Sequence, residues 1–161
     1  MPIIPKELKK YIIFLEKTLG VKRTFKIKYV KTRKEMDALA NRKTENFVVG
    51  FASQGNVFIF PKKLFPKFSP HPESHFDEVL KHEIAHLYIH KAFGRGPAWF
   101  DEGLACVLAG QNKKLPKKLP DPTKLISRED FRKEKQAYPK SMKLVLNLID
   151  QIKNEQNKKS D

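Results

Sequence analysis

Cysteine is almost absent from this chain of 161 residues: Cys106 stands alone, so no internal disulfide can form and a reducing compartment suits it. Long apolar runs are missing too. No stretch approaches the roughly 18 residues of a membrane span, and Met1-Pro2-Ile3-Ile4-Pro5-Lys6 lacks the basic-then-apolar order of a secretory signal. These absences predict a cytoplasmic chain without a membrane span, although a leader trimmed from its front would leave no trace. There is no internal repeat and no break in composition, so a single domain over 1–161 is expected. Within it, 1–92 reads as a sheet-containing N-terminal subdomain, 93–153 as a helical C-terminal subdomain, and 154–161 as a polar tail that frays.

Acidic residues are also scarce. Eighteen Asp and Glu face thirty-three Lys and Arg, a formal charge of +15. That is enough to attract nucleic acid or an anionic membrane surface. The basic residues, however, are spread from Lys6 to Lys159, commonly beside acids, and no nucleic-acid-binding module is recognisable. A solvated, lysine-rich surface is therefore favoured over a dedicated binding face. Lys113-Lys114 and Lys117-Lys118, in a proline-containing connection, could still form a patch.

Against this background one segment carries chemistry. His82-Glu83-Ile84-Ala85-His86 has the pattern H-E-x-x-H. On a helix, residues four apart share a face about 6 Å from each other, so two imidazoles can reach one tetrahedral zinc. Glu83 lies roughly 100° round the helix from His82, placed to take a proton from a metal-activated water without ligating the ion. A catalytic zinc usually takes three protein ligands, so another is needed. His90 continues the spacing but lies about 12 Å along the axis from His82, too far to share the ion. The metzincin extension is absent, since Ile89 and Ala92 occupy its Gly and His positions.

Beyond a helix stop at Gly94-Arg95-Gly96-Pro97 comes Trp99-Phe100-Asp101-Glu102-Gly103-Leu104-Ala105. H-E-x-x-H followed by W-x-x-E-G-x-A resembles the gluzincin metallopeptidases, a zincin-like family. The resemblance implies one zinc per chain held by His82, His86 and Glu102, with Glu83 as general base. It is physically reasonable: Gly94 and Gly96 can reverse the chain and Pro97 can open a helix that aims an early carboxylate back at the imidazoles. Fifteen residues lie between His86 and Glu102, closer to small peptidase-MA-like proteins and minigluzincins than to the large aminopeptidases. The aminopeptidase G-x-M-E-N element is absent, which points to an endopeptidase. Four positions after Glu102, where relatives often carry an acid that orients a zinc-bound imidazole, stands Cys106; either another group serves instead, such as Asp101 or a backbone carbonyl, or metal binding is weaker than usual. Cys106 itself reads as a small buried hydrophobe. Ala137-Tyr138-Pro139-Lys140-Ser141 resembles the Ala-Tyr-x-x-Ser element of such proteins, which makes Tyr138 either an oxyanion donor or a packing residue.

Helical spacing covers Pro5 to Leu19, with Gly20 as the stop. Phe25, Ile27 and Tyr29 alternate as a strand with one buried face. Thr32 with Glu35 caps a short helix to about Asn41. Phe47 to Ala52 and Val57 to Phe60 form a hairpin through Ser53-Gln54-Gly55-Asn56, and the resemblance would make Asn56 to Phe60 the strand that offers its free edge to a peptide. The H-E-x-x-H helix is predicted from near Ser74 to Ala92, with His75 in solvent. The next runs to about Leu108 and ends near Gly110. Ser127 with Asp130 caps another, and Pro139 to about Lys153 forms the last, with Met142, Val145, Leu146, Ile149 and Ile152 as its apolar face.

The expected fold is α+β: a small mixed sheet with helices, the H-E-x-x-H helix as the floor of a cleft, and a helical C-terminal part. The expected activity is zinc-dependent hydrolysis of a peptide or protein. One alternative is a DNA-associated metalloprotease using the basic surface, as in the SprT-like proteases, whose usual third ligand is however His. The other is a zinc-stabilised domain that binds peptide or nucleic acid without cleaving it, which would have no use for Glu83.

Overall fold

The computed structural model describes residues 5–160, with side chains to Lys159. The fold is α+β, with a small three-stranded mixed sheet and several helices. The chain divides into two compact units, Met1–Ala92 and Phe93–Asp161. No helix among the described residues is long and apolar enough to cross a membrane.

The first unit opens with α1 (Lys6–Leu19), which buries Leu8, Tyr11 and Leu15, one stripe at three- and four-residue spacing. Gly20 ends it in the left-handed conformation. Strand β1 (Lys26–Tyr29) follows, then α2 (Arg33–Ala40), whose N-cap Thr32 accepts from the Glu35 amide. Strands β2 (Gly50–Ser53) and β3 (Asn56–Ile59) form the hairpin. Its turn residues Gln54 and Gly55 both have positive φ, 48° and 76°, which matches the right-handed twist of the paired strands.

Two expectations need correction here. The sheet order is β1-β3-β2, with β1 parallel and β2 antiparallel to β3. Asn56–Phe60 is thus no edge: β3 is central and hydrogen-bonded on both sides, because the crossover through α2 returns β1 to its far flank. Val57, Phe58 and Ile59 are accordingly buried. Strand β1 takes the edge instead and its alternation buries little; Phe25 and Ile27 are half-buried and Tyr29 is 57% exposed.

The loop between α2 and β2 is held from beneath by Arg33. Its guanidinium donates to Thr44 Oγ1 and to the carbonyls of Glu45, Asn46, Val48 and Phe68, and lies over the Phe60 ring. A short helix α3 (Phe65–Phe68) and a 3₁₀ turn at Glu73–His75 lead into α4 (Phe76–Phe93). From Ile84 to Ile89 every residue of α4 is buried, so this helix has no solvent face there. Three long-range bonds fix its position: Tyr11 Oη donates to the Lys81 carbonyl, Arg23 to that of Leu87, and Tyr88 Oη to that of Arg23. Burial raises the pKa of both tyrosines, so their hydroxyls remain donors.

In the second unit α5 (Ala98–Leu108) packs on α7 (Ala137–Ser160), and α6 (Arg128–Lys133) lies between them in sequence. Ser127 and Asp130 form a reciprocal capping box on α6. Ala98, Leu125, Phe131, Ala137 and Leu144 make a buried cluster, with Trp99 and Tyr138 packed against it. Helix α7 begins two residues before Pro139, since a proline in the first turn lacks only an amide that has no partner within the helix. It also continues past Lys153 to Ser160, beyond the end that the spacing predicts. Through Lys159 its last turns are exposed, and they carry Glu155, Gln156, Lys158 and Lys159, good helix formers that need no packing partner.

Candidate metal centre

His82 and His86 are one turn apart on α4 and only 7% and 5% exposed. Their Nε2 atoms stand 3.1 Å apart, with ring centroids 4.7 Å apart and planes at 79°. Donors on a tetrahedral zinc at about 2.0–2.1 Å lie about 3.3 Å from each other, so the two nitrogens are already at ligand spacing. Between neutral rings the same distance accommodates a shared proton, which a metal ion would displace.

Glu102, on the second turn of α5, is 4% exposed. One donor atom from each of His82, His86 and Glu102 lies within 4.8 Å of the other two, a buried group that could hold a metal ion. Two imidazoles and one carboxylate suit zinc, a borderline ion that accepts both N and O donors. His90, half-buried and with its ring centroid 5.9 Å from that of His86, stays outside this group.

Glu83 is half-buried on α4 beside His82. Asp101 is buried and accepts from the Gly96 amide at 3.4 Å, a bond that closes the turn before α5. Cys106 is fully buried. Tyr138 occupies the first turn of α7, edge-on to Phe131 with centroids 4.8 Å apart, and the Lys113 ammonium lies 5.4 Å from its ring centre. Its ring is thus a packing element whatever its hydroxyl does.

One site residue escapes a reading of the sequence. Arg128, the first residue of α6, donates from Nη1 to Glu102 Oε1. The only local signal for it is weak: a cation in the first turn of a helix opposes the helix dipole, so the helix itself does not explain an arginine there. A second unforeseen contact lies away from the donor group. His75 is exposed as expected, yet its Nδ1 is 3.3 Å from Nδ1 of His71, whose Nε2 lies 3.0 Å from the Phe47 carbonyl oxygen.

No protein-family model, curated protein or solved structure matches this chain.

Proposed function

We propose that this chain is a zinc-dependent metallopeptidase of gluzincin type, with a zincin-like active site and endopeptidase action. The observation that carries the reading is the buried His82, His86 and Glu102 donor group with a glutamate, Glu83, next to its first ligand in the sequence. The three donors would hold one zinc per chain, their single negative charge leaving the ion electrophilic. Zinc so held would acidify a water and polarise a carbonyl. Glu83 is the base in this reading: its carboxylate would take a proton from the attacking water and deliver it to the leaving amine. Tyr138, through its hydroxyl, donates to the developing oxyanion; the support for this is the Ala137-Tyr138-x-x-Ser141 pattern and its place at a helix start.

The charge of +15 favours one second reading, a protease recruited to DNA-bound proteins. Strong activation of peptide turnover by added DNA would select it. A purely structural zinc site is less favoured, since it needs three or four ligands but no base beside them. The decisive assay is metal-dependent cleavage of a mixed peptide library by the intact chain and by Glu83→Gln.

A further inference from the structure

We propose that Arg128 is the positioning residue for Glu102, holding its carboxylate in the orientation that a metal ion needs. This rests on the metal-site reading above. The Glu102 side chain is 5% exposed, so its oxygens depend on protein partners rather than on water for their hydrogen bonds. Arg128 supplies such a partner to Oε1. A carboxylate has about four lone-pair sites, so one oxygen can keep the arginine while the other serves as ligand. Hydrogen-bonding partners that orient metal ligands influence affinity.

The placement of Arg128 agrees with that role. Helix α6 is already capped by Ser127 and Asp130, and a cation at its first position works against its dipole, so the arginine is not there for the helix. Both ends of the contact stand on fixed backbone. The Ala98 amide donates to the Ile126 carbonyl at 2.7 Å, and Leu125 and Phe131 on either side of Arg128 are buried in one cluster with Ala98. The guanidinium itself is half exposed, so water screens its repulsion of a bound dication while the direct bond to Glu102 persists.

The test is zinc affinity by competition with a chromophoric chelator, with far-UV circular dichroism as the control for folding. Arg128→Ala should weaken zinc binding about 10- to 100-fold with an unchanged helical spectrum. Arg128→Lys should recover part of that loss and covers the case in which alanine perturbs the fold. With cobalt in place of zinc, the visible bands should shift between wild type and Arg128→Ala as the carboxylate changes its mode of binding. In a Glu102→Ala background the arginine substitution should have no further effect, because its only route to the metal is gone. Unchanged or tighter binding in Arg128→Ala, a lysine as weak as alanine, or an equal loss in the Glu102→Ala background would overturn the proposal. A wild-type chain that binds no zinc would instead remove the metal-site reading itself.

Discussion

A Cβ placed on Gly103 would stand 2.3 Å from the carbonyl oxygen of Ser141, so α5 and α7 approach backbone to backbone at the residue that follows Glu102. The Gly of the E-G pair is thereby explained by packing: nothing larger than hydrogen fits between the helices. Ser141 is fully buried, and its Oγ has no hydrogen-bond partner among the described residues, so small size accounts for it better than bonding does.

Gly103→Ala should therefore separate the two helices. The expected cost is about 3 kcal/mol, the upper end for overpacking, which lowers the melting temperature by roughly 6–12 °C. Thermal unfolding followed by circular dichroism measures it. Because Glu102 is the neighbouring residue, zinc affinity should fall in the same variant. A melting temperature within about 2 °C of wild type would show that the helices adjust freely.

Removal of a ligand should separate the two candidate third donors. Glu102→Ala should lose most of its zinc by metal analysis after dialysis, whereas His90→Ala should keep near-unit occupancy. Retention of zinc in the first variant, or its loss in the second, would redraw the ligand set.

The hydroxyl of Tyr138 can be tested apart from its ring. Tyr138→Phe keeps the edge-on contact with Phe131, so the melting temperature should hold while turnover falls with little change in KM. Unchanged turnover would leave Tyr138 as a packing residue alone.

Local signals were the legible part of this fold. Thr32 with Glu35, Ser127 with Asp130, and Gly20 mark helix ends because caps act within a turn of the chain, and Gln54-Gly55 marks the hairpin for the same reason. His82 and His86 were legible from a single helical repeat. What the sequence hid depends on contacts distant along the chain. The central position of β3 follows from the crossover that pairs it with β1, which no local pattern encodes. The pairing of Arg128 with Glu102 joins residues 26 apart. Pro139 concealed the true start of α7, because its helix-breaking character vanishes in a first turn.

The central claim is chemical, that Glu83 serves as the base beside a metal held by its neighbours. It is tested most directly by one paired measurement on Glu83→Gln, zinc content and peptide hydrolysis on the same preparation. The amide cannot accept a proton but fills the same space, so the variant should keep one zinc per chain and its fold while hydrolysis falls by at least about 100-fold. Hydrolysis near the wild-type rate with zinc bound would contradict the account.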